Sequence, residues 1–387
     1  MKIVHMSDSH LGFSSYSKLD ERGLNLIEEK VYSGFDQAVK KIIKLKPDAV
    51  VHAGDLFHHV RPKIWPLFVL QRGLQDLRNA GIPVIIISGN HDAPKSFSQT
   101  SPFRLFEGLK DVHIAQKYRY ERFEVGDRSF HCIPFCLEPG DYLAEFQKME
   151  KRGRDVLVMH GLVESLSNRR MRSVGEHELP DSLLKSDFEY IALGHFHGQA
   201  QISGNAWYSG SVDYFNFGEA RDRKGMLLVD LESGQVDSIP VQPEYMKDHP
   251  AIDCSSMESQ EVAECLMELC REDDIRDMMV RITLKNVNRA AYRSLDPVRL
   301  SRLGSTALYF KIRPELEDEK EHIGMQVDRK SLEEEFSFYL EQQSGGGRIA
   351  AAIKGEVCSY GSQIIKKRIV LNKYILCVLF ISFRIIK

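Results

Sequence analysis

Residues 190–198 read "YIALGHFHG", an apolar run that breaks into two histidines one residue apart, with glycine on either side. A short unbroken apolar run is the pattern of a strand buried on both faces. Alternate strand residues point the same way, so His195 and His197 could aim at one spot if the strand continues through them. The flanking glycines let the backbone turn sharply and let another group come close, leaving room for something between the rings. A lone H-x-H is weak support for a metal. The weight comes from what the rest of the chain sends to the same place.

Similar runs occur on both sides of this one. "KIVHM" at 2–6, "AVVHA" at 49–53, "PVIIIS" at 83–88 and "VLVM" at 156–159 all read as buried strands. Between them, residues 31–45 and 65–79 carry apolar side chains at three- and four-residue steps, the helical period. Strands alternating with helices predict an α/β layered domain. "GMLLVDL" at 225–231 reads as a closing strand, and "YMKDHPAID" at 245–253 as a boundary. A smaller unit follows, with a helix near 257–272 and strands at 278–284 and 307–312. Beyond it, "SLEEEFSFYLEQQ" runs into the flexible linker "SGGGR". The expected division is 1–240, 245–315 and a helical region at 328–387.

The expected strand ends share one chemistry. The first runs into "SDSH" (Asp8, His10), the second into "GDLFHH" (Asp55, His58, His59) and the third into "GNHD" (Asn90, His91, Asp92). A fourth reaches "HG" at His160, and the fifth opens "GHFHG". In open α/β sheets the carboxyl ends of strands are where sites form. Taken singly, each residue has a structural explanation: Asp8 a helix cap, Asn90 a turn, His160 a core histidine. Recurrence of the same residue types at successive strand ends favours a metal site. The set lacks thiolates, which disfavours structural zinc, and its carboxylates, amide and imidazoles suit manganese, iron or zinc in open coordination. Seven ligands are too many for one ion, whereas two ions about 3.5–4 Å apart, bridged by one carboxylate, would use them all.

Composition narrows the class. With 387 residues, 43% hydrophobic and 28% charged, the chain can bury a large core. Seven cysteines without C-x-x-C spacing argue against a disulfide framework or zinc knuckle, and Cys265 and Cys270 read as buried thiols. "MKIVHMSDSH" lacks a signal-peptide core, so a reducing, cytoplasmic setting is expected, nucleoid-associated if the source is prokaryotic. The net charge of −3 hides an asymmetry: residues 348–387 hold eight Lys or Arg against Glu356, a net +7, which leaves −10 for the rest. Such a tail can contact nucleic acid or a partner, or be only a solvated face. Its apolar end, "YILCVLFISF" at 374–383, falls short of the ~18 residues needed to span a bilayer. It reads as a partner-binding element, a strand or a non-native end, and no membrane role is expected.

In order, "DSH", "GDLFH", "GNHD", "MHG" and "GHFH" resemble the signature of the calcineurin-like metallophosphoesterases. The resemblance covers roughly residues 1–240 and implies a four-layered α/β/β/α sandwich, a dinuclear centre and phosphoester hydrolysis. The second motif departs from the GD-x-x-D-R-G of protein phosphatases: His58 stands at the second aspartate and no R-G follows. "GDLFHHVRP" and "YSGSVDYFNFGEARDRKG" at 208–225 are instead similar to the Mre-eleven/SbcD nucleases of double-strand-break repair. That branch implies a capping, DNA-binding domain at 245–315, a segment at 328–387 for an SMC-like, ABC-type ATPase, DNA ends as substrate and 3'-5' exonuclease and endonuclease activity. It also implies a homodimer, expected through apolar helix faces near 65–79 or 96–106.

Carried over residue by residue, the resemblance gives one ion to Asp8, His10 and His197 and the other to Asn90, His160 and His195, with Asp55 bridging. The two histidines of "GHFHG" then serve different ions. The implied metal is manganese, with magnesium possible. His91 would orient the scissile phosphate and protonate the leaving group, and His58 would lie close to the substrate. Asp92 either orients a histidine or caps the following turn. Arg169, Arg170 and Arg172 in "SNRRMRS" could grip DNA phosphates, or form an ordinary charged loop. Two other readings remain: a phosphatase or small-molecule phosphodiesterase with the same centre, and a non-catalytic scaffold, against which a complete ligand set counts.

Overall fold

The computed structural model describes residues 1–16, 18–94, 100–150, 155–167, 178–185, 187–270 and 272–317. Residues 1–315 form one compact unit. The basic tail, its apolar end and the 328–387 region lie outside the described residues, as do Arg169, Arg170 and Arg172.

In chain order the strands of the first half are β1 (Lys2–Met6), β2 (Ala49–His52), β3 (Val84–Ile87), β4 (Val112–Ala115), β5 (Glu121–Val125), β6 (Arg128–Ile133) and β7 (Asp155–His160). Then come β8 (Leu162–Val163), β9 (Glu178–Leu179), β10 (Tyr190–Gly194), β11 (Ala200–Gln201), β12 (Ala206–Tyr208), β13 (Met226–Asp230) and β14 (Gln235–Ile239). The small unit adds β15 (Met246–Asp248), β16 (Ile252–Asp253), β17 (Met279–Val287) and β18 (Tyr309–Leu316). The helices used below are α1 (Leu26–Leu45), α2 (Ile64–Asn79) and α3 (Pro139–Phe146).

Two six-stranded mixed sheets carry the domain, ordered β14-β13-β1-β2-β3-β4 and β11-β12-β10-β7-β6-β5. Strands β1 to β4 run parallel, as do β6, β7, β10 and β12, while β13 and β14 in the first sheet and β5 and β11 in the second pair antiparallel. Side chains alternate between faces along each strand, and the burial follows that period. Ile3, Val51 and Ile85 meet Phe130, Val156, Val158 and Ala192 between the sheets. Val4, Val50 and Ile86 point the other way, onto Val31, Phe35, Val39 and Ile42 of α1 and Val69, Leu70 and Leu74 of α2. On the far side, Leu157, Met159, Ile191 and Leu193 pack with Tyr142 of α3. The layers are therefore α/β/β/α, and each large apolar side chain fully buried in them contributes about 1.5–3 kcal/mol.

Helix α1 begins at Leu26, five residues before its apolar period is visible in the sequence. Asn25 supplies the N-cap, its side chain accepting from the backbone N–H groups of Ile27 and Glu28. Glu28 and Glu29 favour the positive end of the helix dipole. The helix expected across 96–106 is, in its described part, only a 3-10 turn at Pro102–Phe106. The small unit is a four-stranded sheet of β15 to β18, and its Tyr245, Met246, Met279 and Leu308 join the same buried cluster as α1 and α2. No helix among the described residues is long and apolar enough to cross a membrane. Cys132, Cys136, Cys254, Cys265 and Cys270 are free thiols, Cys265 only partly buried.

Register brings the parallel strands to one edge together. Met6 lies opposite His52, His52 opposite Ile86, and in the second sheet His160 opposite Gly194. Asp8, Asp55, Asn90, His160 and His195 all lie at or just past those rungs.

Candidate metal centre

Strand β10 stops at Gly194, so His195 and His197 are not successive residues on one strand face. His195 sits at φ 102°, a backbone region that side-chain-bearing residues rarely adopt. This kink sends the two rings apart. His197 joins Asp8 and His10, while His195 joins Asp55 and His160, and the ligand atoms within each trio lie within 4.8 Å of one another. Asp8, His10 and Asp55 also have positive φ, at 52°, 43° and 52°. Strain of this kind costs roughly 1–3 kcal/mol per residue and persists only where the surrounding structure enforces it.

Backbone hydrogen bonds provide that enforcement. Asp8 N donates to Gly54 O (3.0 Å), His10 N to Asp55 O (3.0 Å) and His195 N to both carboxylate oxygens of Asp8 (3.1 Å each). Close approach explains the glycines of the motifs. A Cβ on Gly89 would lie 2.2 Å from Asp55 Oδ1 and 2.4 Å from Asp55 N; one on Gly194 would lie 1.9 Å from Ala53 O. The glycines of "GHFHG" divide: Gly194 admits both the Ala53 carbonyl of the neighbouring sheet and the His160 ring, whose Nδ1 would lie 2.9 Å from an added Cβ, whereas a Cβ on Gly198 would meet the Phe196 ring rather than a ring of the centre.

The two trios meet at Asp55. Its Oδ2 lies 3.8 Å from His10 Nε2 and 3.5 Å from His160 Nε2, while its Oδ1 accepts from His91 N at 2.8 Å. Asn90 Oδ1 lies 2.9 Å from both His160 Nε2 and His195 Nδ1. His10 Nε2 and His197 Nε2 approach to 3.2 Å. Outer partners fix which nitrogens face inward. His160 Nδ1 donates to Ala53 O at 2.8 Å, which in the neutral ring leaves its Nε2 lone pair facing Asn90 and Asp55. His197 Nδ1 is held at 2.9 Å by Glu219 Oε1, turning its Nε2 toward His10. Inward lone pairs, two carboxylates and an amide oxygen, with the outer nitrogens of His160 and His197 held from behind, are the donor pattern of a metal site. These residues fit two cations.

The electrostatics point the same way. Burial pushes the Asp55 carboxyl up, yet His160, His10 and His91 outweigh it and hold the group well below its ordinary value. Burial lowers His160, but Asp55 reverses this and lifts it to about 9. A field that favours a proton there favours any cation, and a metal displaces the proton. His10 is held well below its ordinary value, chiefly by burial and, against Asp55, by three neighbouring imidazoles. His58 is lowered to about 4, by burial and then by His91 and His59.

His91 and His58 flank the centre. Their rings are stacked with centroids 5.1 Å apart, and His91 Nδ1 contacts His58 O at 3.1 Å. Asp92 orients no histidine. Its Oδ2 accepts from Leu56 N (2.7 Å) and Phe57 N (3.2 Å), and its Oδ1 from Gly89 N (2.7 Å), so it ties the loop of Asp55 to the loop of Asn90.

Sequence reading assigned no role to Glu219, Lys224, Phe215 or Phe13. Glu219 is buried between His197 and Lys224 Nζ (2.8 Å), and also accepts from Phe215 N (3.1 Å) and Asn216 Nδ2 (2.5 Å). Lys224 Nζ donates as well to His197 O (3.0 Å) and Ser211 Oγ (2.9 Å). The Phe215 ring packs edge-on against His10 and His197, and Phe13 against His58 and Phe215. All but Phe13 stand in "YSGSVDYFNFGEARDRKG", a stretch notable in the sequence for resemblance but offering no ligand pattern of its own.

The calcineurin-like phosphoesterase family model matches residues 1–225. Among curated relatives, the DNA double-strand break repair protein Mre11 of Methanococcus maripaludis is 33% identical over 263 residues, 62% of this chain and 66% of that protein. Mre11 of Methanocaldococcus jannaschii is 29% identical over 61% of this chain and 64% of its own length. The SbcD component of the SbcCD nuclease of Staphylococcus saprophyticus is 24% identical over 63% and 69%. The match thus spans just under two thirds of either archaeal relative. With more than half of its length matched by the family model, and every motif of the match at one edge of the paired sheets, the chain belongs to the calcineurin-like phosphoesterases.

Proposed function

We propose that this chain is the nuclease component of a DNA double-strand-break repair machine, cleaving phosphodiester bonds at DNA ends with two divalent ions, manganese for preference and magnesium as an alternative. The observation that carries the proposal is the sharing of Asp55 Oδ2 between a trio of Asp8, His10 and His197 and a trio built on Asn90, His160 and His195. Support for a DNA substrate comes from the Mre11 and SbcCD relatives. When bound, the two ions supply Lewis acidity, polarising the phosphodiester and lowering the pKa of an attacking water.

The chain's own residues do the rest. Asp55 holds the two halves at a fixed spacing, and its second oxygen ties down the His91 backbone. With His91 Nδ1–H donated to His58 O, the imidazolium form of the ring carries its second proton on Nε2, which can meet the departing oxygen and deliver that proton. His58, stacked on that ring, keeps it from turning. Phe13 and Phe215 exclude water from one side of the histidines.

The further assignments belong to the same proposal: 3'-5' exonuclease and endonuclease activity, residues 1–240 as the nuclease domain, 245–315 as a capping domain on DNA, and 328–387 as the seat of an SMC-like, ABC-type ATPase. Arg169, Arg170 and Arg172 would grip phosphates, and the cell compartment would be the cytoplasm or nucleoid. A homodimer through α2 is favoured by the exposure of Ile64 (83%), Trp65 (53%) and Phe68 (46%) side by side on its first turns. The deciding assay offers the purified chain blunt duplex DNA, single-stranded DNA and a chromogenic phosphodiester, with manganese, magnesium or chelator. Metal-dependent cleavage of DNA supports the reading. Turnover of the small ester alone would make the chain a phosphatase or small phosphodiesterase.

A further inference from the structure

His10 faces two ways. Its Nε2 belongs to the trio with Asp8 and His197, while its Nδ1 lies 3.3 Å from His58 Nδ1. A third imidazole, His91, brings a ligand nitrogen to within 4.8 Å of those of His10 and His58. The three rings pack closely, His10 edge-on to His58 at 5.3 Å and to His91 at 4.7 Å between centroids. Zinc–nitrogen bonds are about 2.0–2.1 Å, and two such bonds at a tetrahedral angle place their nitrogens about 3.3–3.4 Å apart. The His10–His58 spacing meets that requirement. The contact of His91 Nδ1 with the His58 carbonyl fixes its other nitrogen as the available one, as an outer partner does for a ligand histidine.

We propose that His10, His58 and His91 form a second, competing cation site that takes an imidazole-seeking divalent ion such as zinc and excludes the ion held by Asp8, His10 and His197. This builds on the dinuclear centre proposed above. A neutral imidazole carries one proton and one lone pair, so His10 can give Nε2 to one trio or Nδ1 to the other, never both. The donor sets differ in preference. Three nitrogens with no carboxylate and an open fourth position suit zinc, whereas the carboxylate-bearing trio suits manganese or magnesium. His58 and His91 are only half-buried, so the competing site opens to solvent. Zinc seated there would also occupy the nitrogen proposed to protonate the leaving group, and the enzyme would be silenced twice by one ion.

The test starts from the full chain stripped with chelator and reloaded with manganese, counting bound and released manganese by electron paramagnetic resonance. Two ions per chain before any zinc is added are expected; fewer would refute the dinuclear centre itself, independently of the zinc result. On titration, one zinc should bind as one manganese leaves. In His58→Ala, two manganese ions should still bind, and the zinc needed to release one should rise at least tenfold. Cobalt, the visible probe for tetrahedral zinc sites, should give intense absorption bands in the wild type that are missing from both His58→Ala and His91→Ala, with circular dichroism confirming that both variants fold. A release curve unchanged in His58→Ala would mean that zinc simply replaces manganese in place, and would overturn the proposal. So would three ions bound together, or cobalt bands that survive both substitutions.

Discussion

Replacing Glu219 with Gln keeps the shape of a buried side chain while removing the charge between His197 Nδ1 and Lys224 Nζ. Burial pushes the Glu219 carboxyl up, but His197 and Lys224 overcome it and bring the group from 4.5 to about 2. At about 1.4 kcal/mol per pKa unit, that depression corresponds to about 3 kcal/mol of stability. The sign follows from the direction. A depressed carboxylate contributes fully above its unfolded value of 4.5, and the contribution fades as pH falls toward 2. Urea denaturation in chelator should therefore place Glu219→Gln about 3 kcal/mol below the wild type at pH 7, with the gap narrowing as pH falls from 4.5 through about 2. Manganese binding at pH 7 should weaken about 10- to 100-fold at one ion, that of Asp8, His10 and His197, because an outer partner of a ligand histidine typically has that effect. The other ion should bind as before. A stability gap constant with pH, or unchanged affinity at both ions, would refute the account of Glu219 as the anchor of His197.

Asp55→Ala should lower manganese content at both positions and Asp8→Ala chiefly at one; full occupancy in the Asp55 variant, measured by elemental analysis, would remove it as the bridge. Gly89→Ala should destabilise the fold by about 1–3 kcal/mol, since the added Cβ meets both the backbone and the carboxylate of Asp55; an unchanged melting temperature would show that this loop can yield. His91→Ala should keep both ions yet cleave DNA ~10²–10⁴-fold more slowly, and a phosphorothiolate substrate, whose leaving group needs no proton, should recover part of the rate. No recovery would leave His91 as a phosphate-orienting group. Phe68→Glu should yield a monomer by sedimentation if α2 is the dimer face, and a persistent dimer would exclude that face.

Much of the architecture was legible because buried parallel strands are written as plain apolar runs. Strand β1 coincides with its expected span, and β2, β3, β7 and β10 differ from theirs by a residue or two at an end. Strand β6 was invisible for a physical reason. Its six residues "RSFHCI" are all buried, but Arg128 is compensated by the adjacent Asp127 and by Glu189, and His131 by Asp155, the last two partners lying 61 and 24 residues away. No local pattern reveals a polar strand that depends for part of its compensation on partners at such a distance. The same limit applies at the centre. Residues such as Asp55 and Asn90 announce themselves at strand ends, whereas Glu219 and Phe215 act through His197 and His10, and only the folded chain brings them there. The strand period also suggested that His195 and His197 share a target, and a single backbone kink at His195 separates them.

That kink, with its counterparts at Asp8, His10 and Asp55, sets evolutionary stability against activity. Glycine adopts such conformations without steric penalty, so at each of these four positions a glycine would relieve strain while deleting a side chain of the centre. A laboratory selection for heat resistance alone would be drawn to the residues that natural selection for catalysis must hold fixed. Variants from such a selection should be screened for metal content before their melting temperatures are counted as gains.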